Sequence, residues 1–152
     1  DYENPDSNLI PDFKGYFEQF HQFLALRPQQ HLHFELGRSI VAQCGNLITK
    51  VLYVKKGVNT IFAIVDGGMT DLLRPALYQA THKIENLTTK STELERYDVV
   101  GPICESSDCF AKSLLFPVTQ RGDIIAIRTA GAYGEVMASN YNLRTTIASY
   151  VF

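Results

Sequence analysis

The spacing of apolar residues changes near residue 46, and this change limits the possible folds more than any other feature of the chain. Before it, large apolar residues recur every three or four positions, as in an amphipathic helix that ends before Pro28. They are Phe13, Tyr16, Phe17, Phe20, Phe23 and Leu24. Alternation over residues 31–34 predicts a short strand, and residues 47–54 and 60–65 are rich in β-branched and aromatic residues, which is typical of strands. We therefore predict an α/β segment over residues 1–45 followed by an all-β domain over 46–152, folded as a sandwich or barrel.

Turn residues divide the second segment further. Strands are predicted at 82–87, 97–100, 114–118 and 124–128. Residues 55–59 have the length of a hairpin link, and Asp66-Gly67-Gly68 predicts a sharp turn. Pro117 places its strand at a sheet edge, and Pro75 is expected to break a helical turn within residues 72–78. Asp12 is a candidate N-cap for the first helix, and a short helix is predicted over 39–45.

Side chains that could take part in catalysis are concentrated in the turn from Val99 to Asp108. Gly101-Pro102 fixes a turn, and a thiol, Cys104, follows next to a carboxylate, Glu105. Such a pair can donate a proton to a reacting atom and bind a cation beside it. The alternative is a half-buried thiol in a loop with solvated acids.

Two further positions could contact a ligand. Arg38 follows Gly37 at the end of the predicted 31–34 strand, where it can bind a phosphate or carboxylate, or form a surface ion pair. Tyr133 lies among small residues after the 124–128 strand, where it can touch a ligand or belong to the core.

The charge and the cysteines limit the possible partners. A net charge of −2 gives no electrostatic reason to expect nucleic acid or an anionic membrane, and no apolar run approaches the roughly 20 residues of a membrane span. The cysteines and the four histidines have no metal-ligand spacing, so no metal is expected. We interpret Cys44 and Cys109 as buried thiols and expect a cytoplasmic setting. No secretory leader is visible, and both ends look cut, so we expect a piece of a longer protein.

Five spaced motifs carry a family resemblance. They are Glu35-x-Gly37-Arg38-Ser39, Asp66-Gly67-Gly68-Met69-x-Asp71-Leu72-x-Arg74-Pro75-x-Leu77-Tyr78, Gly101-Pro102-x-Cys104-Glu105-Ser106-x-Asp108, Gly122-Asp123, and Gly131-Ala132-Tyr133 with Met137-x-Ser139-x-Tyr141-Asn142. In this order they resemble the C-terminal half of the pyridoxal-phosphate-dependent ornithine/diaminopimelate/arginine decarboxylases, most closely the diaminopimelate branch. The family usually has proline where this chain has Leu36.

The resemblance implies that the chain contains the end of a barrel domain followed by a β domain. Residues 1 to about 45 would be the last units of a (β/α)8 barrel, and the β domain would follow. Most of the barrel, with the Schiff-base lysine, would be absent. The isolated chain is then expected to be a non-catalytic β module that exposes apolar barrel surface and associates or aggregates through it.

The resemblance also implies roles at the cofactor, pyridoxal 5'-phosphate. Glu35 would keep the pyridine nitrogen protonated, and Gly37 and Arg38 would lie at the phosphate, with Arg38 also reaching the substrate. Tyr133 would contact both phosphate and substrate.

The remaining implied roles concern the substrate. Arg74 and Tyr78 would bind it, and Cys104 would return a proton to Cα after CO2 leaves, since a thiol is mostly protonated at neutral pH. Glu105 would bind the distal ammonium. In the family, Cys104 and Glu105 act on the partner subunit's site, which implies an obligate homodimer. Together Arg74 and Glu105 favour meso-2,6-diaminopimelate, giving L-lysine, over arginine, ornithine or carboxynorspermidine.

Overall fold

The computed structural model describes residue 2, residues 4–6 and residues 11–152, and most of its regular structure is β-sheet. The helices are α1 (Phe13–Phe23), α2 (Arg38–Val41) and α3 (Arg74–Tyr78). The strands are β1 (Leu47–Lys56), β2 (Ile61–Val65), β3 (Ile84–Asn86), β4 (Leu94–Val100), β5 (Cys109–Pro117) and β6 (Ile124–Ile127). A 3₁₀ turn spans Tyr141–Leu143. The predicted α/β segment followed by a β domain is confirmed in its β part.

The six strands form one sheet in the order β3-β6-β1-β2-β4-β5. All neighbours are antiparallel except β2 and β4, where Ala63 lies opposite Val99 in a parallel pair. The sheet curls into a nearly closed barrel. Its two edges meet through side chains, since Asn86 Nδ2 at the end of β3 donates to Thr119 Oγ1 just beyond β5, at 3.1 Å. The prediction that Pro117 lies on an edge strand is confirmed.

Alternation along the strands builds the barrel core. Leu47, Thr49 and Val51 of β1 point inward while their neighbours are exposed, and Ile125 and Ile127 of β6 are almost fully buried. Burial of such apolar side chains contributes about 1.5–3 kcal/mol each. Tyr97 of β4 fills the centre, and its hydroxyl donates to Glu95 at 2.6 Å. The core therefore fixes the strand ends from which the candidate site is built.

The segment before the barrel is organised around α1. Asp12 caps the helix as predicted, since its Oδ1 accepts a hydrogen bond from Gly15 N at 2.9 Å. None of the α1 side chains is buried, and Phe23 is 76% exposed. The apolar face of α1 is thus left uncovered by the described chain.

The predicted strand over residues 31–34 is wrong. A β-strand must pair with a neighbouring strand through backbone hydrogen bonds, and no described segment pairs with residues 31–34. Phe34 instead packs against α1, with its ring centroid 4.7 Å from that of Phe17 and 4.9 Å from that of Phe20.

Three smaller predictions are corrected. Pro75 does not break the helical turn; it lies in the first turn of α3, where no amide hydrogen bond is lost. The predicted 39–45 helix is the single turn of α2. Cys44 is exposed rather than buried, with its thiol donating to the Val41 carbonyl at 2.9 Å, and Cys109 is only half-buried.

Candidate active site

A pocket of about 420 Å³ opens between α2 and the loop that follows β6. Its lining includes Glu35 and Gly37 from the segment before α2, Arg38 at the start of α2, and Thr129 from the loop after β6. The Thr129 hydroxyl is buried with no hydrogen-bond partner in the described chain. Arg38 forms no ion pair with a described residue, so the alternative of a surface ion pair is not what is observed. The pocket thus offers a carboxylate, a guanidinium and a hydroxyl, none of which is satisfied by another described group.

Backbone contacts hold the two walls of this pocket together. Gly131 N donates to the Ala42 carbonyl at 3.0 Å, and Ala130 N donates to the Gly45 carbonyl at 2.8 Å. A Cβ at position 131 would overlap the Val41 carbonyl oxygen, so glycine is required for this close approach. The loop after β6 is therefore fixed against α2.

This contact brings Tyr133 to the pocket. A Cβ built on Gly37 would lie 3.1 Å from the Tyr133 hydroxyl oxygen, so the hydroxyl lies directly beside the Gly37 backbone. Tyr133 has a left-handed backbone, with φ of 64°, and its ring is 45% exposed. The ligand-contacting interpretation of Tyr133 is therefore favoured over a core tyrosine.

Arg74 contacts Tyr2, which lines this pocket, and has no partner of opposite charge among the described residues. Its side chain is 6% exposed, and its guanidinium carbon lies 5.4 Å from the ring centroid of Tyr78 and 5.5 Å from that of Tyr2. Tyr78 is four residues along α3, on the same helix face. No carboxylate of the described residues lies within ion-pair distance of Arg74, and its Nε has no hydrogen-bond partner among them. A buried cation with no counter-charge is costly, so this geometry favours an anionic ligand.

Sequence reasoning missed Tyr2, which joins these groups. Tyr2 lines the pocket and also covers Arg74, so Arg74 and Tyr78 border the region of Glu35 and Arg38. Its aromatic ring in an otherwise polar, turn-rich stretch was the one signal that could have identified it.

His82 is packed behind Tyr2. It is 4% exposed, its Nδ1 donates to the Arg128 carbonyl at 2.8 Å, and its ring meets the Tyr2 ring edge-on with centroids 5.0 Å apart. Burial, together with the Arg74 charge, lowers the pKa of His82 below its ordinary range, although the bond to Arg128 opposes this. His82 is therefore neutral in the folded chain at neutral pH.

We expect His82 to make the chain less stable in mild acid. The unfolded histidine takes up a proton as pH falls below about 6.5, whereas the folded one resists it, so the free energy of unfolding should fall by up to about 1 kcal/mol per pH unit. His82→Asn keeps a donor for Arg128 and should flatten this dependence. Urea denaturation of residues 1–152 at a series of pH values measures it, with His21→Asn on exposed α1 as the control. An unchanged slope in His82→Asn would show that other groups cause the acid sensitivity.

The thiol turn is attached to a different part of the chain. Asp108 is 3% exposed, and its two carboxylate oxygens accept hydrogen bonds from Met69 N at 2.6 Å and Ile103 N at 2.7 Å. Gly101 is needed here, because a Cβ would overlap the Asp108 carboxylate. Burial raises the pKa of Asp108, and the two amides oppose that shift. This carboxylate therefore joins the thiol turn to the Gly67–Met69 loop.

Cys104 and Glu105 project from this turn into solvent. Both are exposed, and Glu105 accepts a hydrogen bond from the Tyr141 hydroxyl. Neither residue lines the pocket that contains Glu35 and Arg38. Of the predicted site residues, Glu35, Gly37 and Arg38 thus line the pocket, and Tyr133 adjoins it at Gly37. Arg74, with Tyr78, is linked to the pocket through Tyr2, whereas Cys104 and Glu105 lie apart.

Among the described residues, no three side chains of histidine, cysteine, aspartate or glutamate are arranged to hold a metal ion. In the same part of the chain, no helix is both long and apolar enough to span a membrane.

Comparison with known proteins relates this geometry to a family. A family model described as pyridoxal-dependent decarboxylase, C-terminal sheet domain, matches residues 14–131. A diaminopimelate decarboxylase of Bacteroides thetaiotaomicron is 59% identical over 150 residues, which is 99% of this chain and 39% of that protein. One of Helicobacter pylori is 57% identical over 111 residues, which is 72% of this chain and 27% of that protein. The chain therefore spans well under half the length of these relatives.

Two solved structures of diaminopimelate decarboxylases have a similar fold. A variant of the H. pylori diaminopimelate decarboxylase complexed with L-lysine is 55% identical, with a TM-score of 0.70 over 74% of this chain and 28% of that one. The M. jannaschii diaminopimelate decarboxylase in co-complex with L-lysine is 36% identical, with a TM-score of 0.75 over 88% of this chain and 30% of that one.

Proposed function

Because this chain belongs to the pyridoxal-dependent decarboxylases, whose C-terminal sheet domain it contains, we propose that it is the C-terminal part of a diaminopimelate decarboxylase. The complete enzyme would release CO2 from meso-2,6-diaminopimelate and give L-lysine. The observation that carries the substrate assignment is the buried guanidinium of Arg74, which has no counter-charge among the described residues. High identity to relatives named for this activity supports the same substrate.

The residues present fit pyridoxal phosphate. Arg38 and the Tyr133 hydroxyl suit a phosphate, and the unpartnered Thr129 hydroxyl offers a further donor in the same pocket. Gly37 leaves its backbone open beside Tyr133, where a side chain would narrow the space. Glu35, in the same pocket, suits a protonated pyridine nitrogen.

The chain's own groups then have distinct tasks. When bound, the cofactor accepts the electron pair that remains as CO2 leaves. Glu35 holds a proton at the pyridine nitrogen, which favours that acceptance. Arg38 and Tyr133 fix the phosphate and thereby the orientation of the ring. Cys104 delivers a proton to the substrate Cα.

The far end of the substrate is recognised by two opposite charges. Arg74, supported by the faces of Tyr78 and Tyr2, binds the distal carboxylate. Glu105 binds the distal ammonium. Ornithine and arginine have no distal carboxylate and would leave Arg74 buried and unpaired, which costs binding energy.

Each active site is formed by two subunits of a homodimer. In support of this, Cys104 and Glu105 are exposed and lie outside the pocket of their own chain. A second copy could present them to that pocket from across an interface. The enzyme acts in the cytoplasm, where its three free cysteines stay reduced.

CO2 release by the full-length enzyme tests this proposal. The purified enzyme is offered meso-diaminopimelate, ornithine and arginine separately, with pyridoxal phosphate added. We expect turnover of diaminopimelate alone. Preference for ornithine or arginine would keep the family but contradict the roles given to Arg74 and Glu105.

A further inference from the structure

The Tyr141–Glu105 hydrogen bond joins two segments that are distant in sequence. The Tyr141 hydroxyl donates to Oε1 of Glu105, 36 residues away. Tyr141 is 53% exposed and belongs to the 3₁₀ turn near the end of the chain. An exposed hydrogen bond between mobile partners would have little effect, so its significance depends on how firmly Tyr141 is held.

Tyr141 is held from both sides. Before it, Ser139 N donates to the Thr70 carbonyl at 2.9 Å. After it, Arg144 Nη2 donates to the Asp66 carbonyl at 2.6 Å and lies 3.8 Å from the buried carboxylate of Asp71. Both anchors are on the Asp66–Asp71 loop.

The same loop also holds the thiol turn, through the hydrogen bond from Met69 N to the buried carboxylate of Asp108. One rigid loop thus fixes both partners of the Tyr141–Glu105 bond. The relative position of hydroxyl and carboxylate is therefore set by the fold and does not depend on two flexible side chains meeting.

The Tyr141 hydroxyl stays protonated and can donate this hydrogen bond at neutral pH. The hydrogen bond to Glu105 and its negative charge raise the pKa of Tyr141. The phenol therefore stays protonated and donates throughout the neutral range.

We propose that Tyr141 is a positioning residue for Glu105. Resting on the function proposed above, this inference says that Tyr141 occupies Oε1 and leaves Oε2 directed at the distal ammonium of the substrate. A free carboxylate on an exposed turn would sample several rotamers, and ordering it on binding would reduce affinity. Tyr141 thus contributes to selection of a substrate with a second ammonium group.

Removing only the hydroxyl tests the inference in the full-length enzyme. Tyr141→Phe should raise KM for meso-diaminopimelate about tenfold and change kcat less than about twofold. The same variant should leave the slow turnover of 2-aminopimelate unchanged, because that compound keeps both carboxylates but lacks the distal ammonium. A general structural defect would affect both compounds alike. Tyr150→Phe, an exposed tyrosine of the same terminal segment, is the matched control.

A double-mutant cycle with Glu105→Gln separates the possible failures. If Tyr141 acts through Glu105, adding Tyr141→Phe to Glu105→Gln should have no further effect. If Glu105→Gln reduces the preference for diaminopimelate while Tyr141→Phe does not, the positioning role is overturned and the proposed function stands. If the parent enzyme does not prefer diaminopimelate to 2-aminopimelate, the recognition role of Glu105 is wrong, and this inference is wrong with it.

Discussion

Replacing Cys104 with alanine in the full-length enzyme should lower kcat for diaminopimelate by about 10²-fold to 10⁴-fold, the usual contribution of a positioned proton donor. KM should change much less, because the thiol acts on Cα after CO2 has left and is not needed to bind the substrate. Cys104 is exposed and makes no hydrogen bond or ring contact with a described residue, so its loss should not unfold the turn. Steady-state CO2 release at saturating substrate measures the effect.

A second cysteine provides the control for this prediction. Cys44 is also exposed, and its thiol donates to the Val41 carbonyl, a bond that serine can replace. Cys44→Ser should keep kcat within about twofold. Equal rates for Cys104→Ala and the parent would mean that the turn around which the chemistry is proposed is structural.

Local residue composition was sufficient to predict the first two strands of the barrel. The predicted strands at 47–54 and 60–65 are found as β1 and β2, and the hairpin link between them is confirmed. These segments are rich in β-branched and aromatic residues, and that enrichment is visible in sequence without knowledge of the partner strand.

The pairing of the strands, and the start of strands whose first residues are polar, could not be predicted in the same way. β4 begins at Leu94, three residues before its prediction, and β5 begins at Cys109, five residues before its prediction. In β4, the Leu94–Glu95–Arg96 segment is ordered by pairing with Leu115–Pro117, which is a tertiary contact. The strand predicted at 31–34 failed for the complementary reason, since its apolar alternation has no partner among the described residues.

The site shows the same division. Glu35, Gly37 and Arg38 are adjacent in sequence, so their meeting in one pocket follows from local order. Tyr2 reaches Arg74 across 72 positions. Tyr141 lies in a motif that has no predicted role, because its partner Glu105 is brought near it through the Asp66–Asp71 loop, a tertiary contact.

Replacing Arg74 with methionine should reduce activity severely while leaving the stability of the unliganded chain almost unchanged or higher. We expect kcat/KM for diaminopimelate to fall about 10²-fold or more, because the distal carboxylate loses a buried charged partner. The free energy of unfolding of residues 1–152 should stay within about 1 kcal/mol of the parent value or increase. A buried guanidinium without a counter-charge is unfavourable in the unliganded chain, and methionine keeps the apolar contact with Tyr2 and Tyr78.

Urea denaturation and CO2 release measure the two sides of this prediction. Arg96→Met is the matched control, since Arg96 is exposed on β4 and donates to the Ser113 carbonyl at 2.8 Å. It should leave kcat/KM nearly unchanged. If Arg74→Met instead lowers the unfolding free energy by several kcal/mol, the guanidinium supports the fold through its stacking on the two tyrosines, and the ligand-binding role loses its main argument.

The same variant can establish whether the active site is shared between subunits. Arg74→Met and Cys104→Ala subunits are each nearly inactive by the predictions above. If each site takes Arg74 from one chain and Cys104 from the other, half of the randomly mixed dimers contain one intact site of two. Co-expression of the two variants should then restore about a quarter of the parental activity. If both residues of a site come from one chain, no mixed dimer contains an intact site and activity stays at the level of the single variants.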